Sequence, residues 1–229
     1  MSKEEFIEKF KKISEKLSIP YKNIDIYYMA CTHSSFANEN GVLSNERLEF
    51  LGDSILGFYI AELLYKKFPD MPEGEMTKNR FNYVCAHANS KYAVEIGLNE
   101  CLMLGKGEMD QGGLNKQNLL ADLFEAFLGA VFLDLGIEFA KETLNKIILP
   151  KIGKKSFFED YKSKLQEYVQ SSSRVAVKYV LVSETGPSHN KKFTISVFHN
   201  NIKLGTGEGV SKKEAEQMAA KDALDKLAK

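Results

Sequence analysis

NERLEFLGDSILGFYIAELLYKKF, residues 45–68, decides how this chain is read. Its leucines, isoleucines and phenylalanines recur at three- and four-residue intervals, the spacing of a helix with an apolar face. The same stretch carries Glu46, Glu49 and Asp53. At 3.6 residues per turn, positions three and seven on from the first lie within roughly 60° of it, so the three carboxylates form a stripe. Like charges this close repel unless solvent or a cation separates them. Gly57 follows on the same face. Glycine weakens a helix and often marks the close approach of another chain segment, which is the role expected of it here.

A second acid pair lies in LLADLFEAFLGAVFLDLG, residues 119–136. Asp122 and Glu125 are three apart, hence on one helix face, inside the most hydrophobic stretch of the chain. An ionised carboxylate buried without a partner is strongly unfavourable. Three arrangements relieve that: a solvated face for the first stripe, a salt bridge to Arg47 or Arg80, or a divalent cation shared by both acid sets. The last is preferred because it neutralises all the acids together. An all-oxygen site suits Mg²⁺, with Mn²⁺ as a substitute, and the chemistry such a site usually supports is phosphoryl transfer.

Working outward, residues 1 to about 150 read as helices. The apolar spacing recurs in FIEKFKKISEKL, in EMTKNRFNYVCAHANSKYAVEIG and in the 119–136 stretch. PDMPEG and GKGEMDQGGLN read as loops between them, and Leu149–Pro150 closes the last helix. The period changes after residue 156. FFEDYKSKLQEYVQ is helical, RVAVKYVLVSE and KFTISVFHN alternate as strands, and NIKLGTGEG forms a third strand after an Asn-Asn turn. SKKEAEQMAAKDALDKLAK is a helix opened by a capping box, Ser211 with Glu214, with Ala215, Met218, Ala219, Ala223 and Leu227 facing a core. The fold class is therefore multi-domain: an all-α domain over 1–153 and a small α+β domain of order α-β-β-β-α over 157–229, joined by a short linker at about 151–156.

The 229 residues are 44% hydrophobic and 27% charged, a composition able to bury a core. Net charge is zero, yet the two parts differ. Residues 1–153 hold 17 Lys and Arg against 22 Asp and Glu, a net −5, and residues 154–229 hold 14 against 9, a net +5. A basic tail on an acidic body suggests a polyanionic partner. No stretch is expected to span a membrane, and MSKEEFIEKFKK reads as an amphipathic surface helix and not a signal peptide. Cys31, Cys85 and Cys101 make no CxxC pair, which disfavours a disulfide framework or thiolate zinc and suits a reducing cytoplasm. There is no HExxH, no GxSxG and no GxxxxGK[ST], and GTGEG is more simply a turn than a nucleotide cradle, so no nucleotide cofactor is expected.

NERLEFLGDSILGFYIAELLYKKFP, then EGEMTKNR, then LLADLFEAFLGAVFLD resemble the endonuclease domain of bacterial ribonuclease III. The α-β-β-β-α tail resembles the double-stranded-RNA-binding domain that follows it in that family, so the likeness covers nearly the whole chain. The resemblance implies Mg²⁺-dependent cleavage of double-stranded RNA, in ribosomal, messenger and other structured precursors. It implies a homodimer that leaves 5′-phosphate and 3′-hydroxyl ends with a short 3′ overhang. Carried over by position, it implies that Glu49, Asp53, Asp122 and Glu125 hold the metal, with Glu125 tied most directly to hydrolysis, and that Glu46 and Glu73 line the catalytic valley. Acids at 73 and 75 also suit a helix start, where they meet the macrodipole. Phe50 matches an aromatic at the subunit interface; an ordinary core phenylalanine is the alternative.

A-form RNA is read through phosphates, 2′-hydroxyls and shape, because its bases lie in a deep, narrow groove. Three regions of the tail offer such contacts. Ser163, Gln166, Glu167 and Gln170 lie at helical spacing and can bond 2′-hydroxyls, or simply face solvent. His189 sits in the turn GPSH and is raised above an ordinary loop histidine by the family likeness. Ser211, Lys212 and Lys213 open the last helix, where lysines oppose the helix dipole unless an anion binds there. Two rival classes stand beside the nuclease. One is a double-stranded-RNA-binding regulator that does not cut. The other is a metal-dependent phosphatase of small molecules, which would have no use for the tail.

Overall fold

Ser2 accepts a hydrogen bond from the Glu5 amide while the Glu5 carboxylate accepts from Ser2 N, a reciprocal cap that starts α1 (Lys3–Leu17). Phe6, Phe10, Ile13 and Leu17 then fall on one face of that helix and are buried. The computed structural model describes residues 1–152, 161–170, 175–186 and 191–227, and the chain divides into two units, Met1–Phe158 and Glu159–Lys229.

The first unit is helical, as its apolar spacing predicts. After α1 come α2 (Ile24–Ala30), α3 (Ser34–Asn40), α4 (Glu46–Lys67), α5 (Glu73–Val84), α6 (Ala86–Ile96), α7 (Lys106–Asp110), α8 (Gln117–Leu135) and α9 (Ile137–Ile148). Leu120, Leu123, Phe124, Phe127, Leu128 and Val131 bury α8 on nearly every side, and it forms the axis on which α4 and α6 pack. Two glycines make the α4–α8 crossing close. A Cβ on Gly52 would lie 1.7 Å from the Glu125 carbonyl oxygen, and one on Gly129 would lie 2.3 Å from that of Leu48.

Two local readings need correction. The stretch EMTKNRFNYVCAHANSKYAVEIG is two helices, because Cys85 is extended at φ −71° and ψ 157°. Its amide closes α5 on Phe81 O, and its carbonyl starts α6 by accepting from Ala88 and Asn89 N. GKGEMDQGGLN contains α7 and a 3₁₀ turn at Gly113–Asn115. Gly136 (φ 89°) separates α8 from α9, and α9 ends at Ile148, directly before Leu149–Pro150 and the 3₁₀ turn Leu149–Lys151, as the proline led one to expect. Among the described residues, no helix is long and apolar enough to cross a membrane.

In the second unit, α10 (Tyr161–Gln170) precedes a three-stranded antiparallel sheet of order β1 (Lys178–Thr185), β2 (Lys192–His199), β3 (Ile202–Gly209), and α11 (Lys212–Leu227) follows. Asn200 and Asn201, at φ 47° and 64°, make the tight β2–β3 turn. GTGEG belongs to β3 and is not a turn. A Cβ on Gly205 or Gly207 would come within 2.5 Å or 2.1 Å of the Ala219 backbone, so the glycines let α11 lie directly on the strand. The face of α11 buried there is Ala215, Ala219, Ala220 and Ala223. Met218 and Leu227, expected in the core, are 41% and 36% exposed, because an approach this close leaves room only for alanines.

A candidate carboxylate metal centre

The α4–α8 crossing builds the site. Gly52 rests against the carbonyl of Glu125, which brings Glu49, one turn earlier on α4, beside the acids of α8. Glu49, Asp122 and Glu125 each offer a carboxylate oxygen, and the three oxygens lie within 4.8 Å of one another. All three residues are half-buried. Burial raises Glu49 above the usual carboxylate range, and the charges of Asp122, Glu46 and Asp53 add to the effect. Burial likewise raises Asp122, against a smaller pull downward from the His33 imidazole. Glu125 is pushed up to about 7, by burial first and then by Asp53, against the bond it accepts from Asn89.

Among the described residues, no lysine or arginine forms an ion pair with these three acids, so the Arg47 and Arg80 bridges are not made. A cluster of hard oxygen donors that repel one another, half-buried and without a protein cation, fits a divalent ion such as Mg²⁺ or Mn²⁺.

The other acids named from sequence stand outside this trio. Asp53 is exposed, one residue past Gly52, and acts on Glu125 and Glu49 through its charge. Glu46 is exposed and accepts from Ser44 Oγ at 3.0 Å. Glu73 is exposed at the start of α5 and accepts from Thr77 Oγ1 at 2.9 Å. A Cβ on Gly57 would meet nothing within 4 Å among the described residues, so the close approach expected there belongs to Gly52 and Gly129. Sequence reasoning missed Asn89, whose Nδ2 donates to Glu125 Oε1 at 2.6 Å, and His33 beside Asp122. Neither belongs to a spaced motif. The break at Cys85, which the apolar pattern conceals, is what sets Asn89 in the first turn of α6.

Phe50 is 79% exposed and is not a core residue. In the second unit, Ser211 Oγ accepts from Glu214 N at 3.2 Å, and the Glu214 carboxylate reaches past Ser211 to Val210 N at 2.8 Å. Lys212 and Lys213 are exposed at the start of α11, with Lys212 Nζ 5.9 Å from the Phe193 ring centre. Gln170 is exposed, while Gln166 Oε1 accepts from Val177 N at 3.3 Å and so also serves the fold. The side chains of Ser163 and Glu167, and the whole of His189, lie outside the described residues.

Comparison with known proteins agrees with both halves. Residues 23–152 match the ribonuclease-III-like family model, and residues 161–227 match the double-stranded RNA binding motif. The chain is 45% identical to Ribonuclease 3 of Bacillus cereus over 225 residues, covering 96% of this chain and 92% of that protein. It is also 45% identical to Ribonuclease 3 of Bacillus licheniformis, covering 97% and 91%. The nuclease domain of ribonuclease III from Campylobacter jejuni superposes with a TM-score of 0.58 at 33% identity, over 62% of this chain and 96% of that one.

Proposed function

The chain belongs to the ribonuclease III family, and from that premise we propose that its carboxylate cluster holds Mg²⁺ and that a homodimer of the chain cuts both strands of a duplex. The protein is an endoribonuclease that cleaves double-stranded RNA. The observation that carries the metal reading is the convergence of Glu49, Asp122 and Glu125 within 4.8 Å, with no ion pair to any of them among the described residues. When bound, a divalent ion supplies Lewis acidity for phosphodiester hydrolysis: it activates water and stabilises the departing oxygen.

The protein's own groups prepare that chemistry. Glu49, Asp122 and Glu125 present the oxygens, and Asp53 completes the ring of negative charge from the next turn of α4. Glu46 and Glu73 line the approach. The Gly52–Gly129 crossing fixes the distance between the two acid sets. At the other end of the chain, Lys212 and Lys213 add their charge to the N-terminus of α11, which favours a phosphate row. Ser211, Gln166 and Gln170, with Ser163, Glu167 and His189, supply contacts to 2′-hydroxyls and the minor groove. The products are 5′-phosphate and 3′-hydroxyl ends with short 3′ overhangs, made from structured precursors of ribosomal and messenger RNA in the cytoplasm.

The dimer reading is supported by one face of α4, where Phe50, Phe58 and Tyr65 are 79%, 56% and 73% exposed around Gly57. Aromatic side chains on one helix face, left in water, suit a second copy of the chain. The Campylobacter relative is described as having a region involved in dimer formation.

A cleavage assay on duplex RNA, single-stranded RNA and duplex DNA, each with and without Mg²⁺, tests the function. Cutting is expected for duplex RNA with Mg²⁺ alone. Glu125→Gln should bind duplex RNA as the wild type does and leave it intact. Wild-type cleavage by that variant in metal-controlled buffer rejects the assignment.

A further inference from the structure

Asn89 is fully buried, and both hydrogens of its side-chain amide face acceptors: Glu125 Oε1 at 2.6 Å and the Val84 carbonyl at 3.2 Å. Two acceptors settle which way the amide points, since the flipped form would set Oδ1 against a carboxylate and a carbonyl. Asn89 Oδ1 is itself buried and has no hydrogen-bond partner among the described residues. An unpaired buried acceptor works against folding, and an apolar residue of the same size at this position would remove it. Packing therefore does not account for an asparagine here. The bond to Glu125 does.

A glutamate side chain turns about three bonds, and Glu125 has like charges facing it from Asp53, Glu49 and Asp122. Without a restraint, that repulsion turns its carboxylate away from the other two. We propose that Asn89 is a positioning residue: its amide, anchored on Val84 O, holds the Glu125 carboxylate converged with Glu49 and Asp122, so that a divalent cation meets a formed site. This inference rests on the metal reading of the cluster.

The test uses the full chain and Mn²⁺ binding followed by calorimetry at fixed pH, for wild type, Asn89→Leu, Glu125→Ala and the double variant. Partners that orient a ligand typically change metal affinity or activity about 10- to 100-fold. Asn89→Leu should weaken Mn²⁺ about tenfold and lower kcat on duplex RNA while leaving KM in place. In the Glu125→Ala background the same substitution should change Mn²⁺ affinity less than about twofold, because the group it positions is gone. Wild-type Mn²⁺ affinity in Asn89→Leu, or an undiminished effect in the Glu125→Ala background, overturns the positioning role. Should Asn89→Leu not fold by circular dichroism, Asn89→Ser is judged by the same two outcomes. A wild-type protein that binds no Mn²⁺ overturns the metal reading itself, and this inference with it.

Discussion

Burial and the neighbouring Asp53, Glu49 and Asp122 charges hold Glu125 up to about 7 in the metal-free protein, well above its ordinary 4.5. Between those two values the folded chain keeps a proton that the unfolded chain has lost. The stability this proton contributes is complete below about 4.5 and is lost as the pH rises through about 7. Glu125→Gln removes the charge and retains an oxygen for Asn89 to donate to. In EDTA at pH 8 it should therefore stabilise the protein by about 1–2 kcal/mol, after allowing for solvent screening, and by almost nothing at pH 4.5. Urea melts at the two pH values measure this; equal midpoints for variant and wild type at pH 8 would mean that the cluster carries no strain. At this scale the sequence was informative about the acids, because Glu49, Asp122 and Glu125 sit at helical spacing in apolar helices. It was silent about Asn89 and His33, whose parts depend on neighbours far along the chain.

Elements meet through glycine in both units. Gly52→Ala would force a Cβ into the Glu125 carbonyl, 1.7 Å away, and part α4 from α8. A loss of about 3 kcal/mol is expected, together with loss of cleavage, read by thermal melting and a duplex-RNA assay. Gly207→Ala meets Ala219 N at 2.1 Å and should unseat α11 from β3, abolishing RNA binding. Retained binding by gel shift would show that the strand can yield. Lys212→Ala with Lys213→Ala should instead leave the fold intact and weaken binding regardless of sequence. The salt slope should flatten by about 0.7–0.9 of a log unit per lost phosphate contact. Helix and strand identity was legible because apolar period reports which face is buried. Breaks such as Cys85 were not, since an extended residue between two helices leaves the period almost undisturbed. NIKLGTGEG read as a strand, but the seat that Gly205 and Gly207 give to α11 was not legible until its alanine face is placed on them.

For the whole molecule, the proposed homodimer predicts that assembly and cleavage are lost together when the exposed aromatic face of α4, beside the acid stripe, is made polar. Phe50→Asp should yield monomers by sedimentation velocity and cut duplex RNA poorly, while the helical unit stays folded by circular dichroism. A wild-type chain that sediments as a monomer at assay concentration would remove the homodimer from the reading. The division into a helical part and a basic α-β-β-β-α part was written in the chain itself: one change of period, one change of net charge and one long acid-bearing motif carried it. Those are local properties, set by side-chain type and spacing along a helix or strand. Convergence is a different matter. That Gly52 and not Gly57 admits the second helix, that Asp53 stands outside the trio, and that a buried asparagine holds Glu125 all depend on distances between segments tens of residues apart, which only close packing of the folded chain decides.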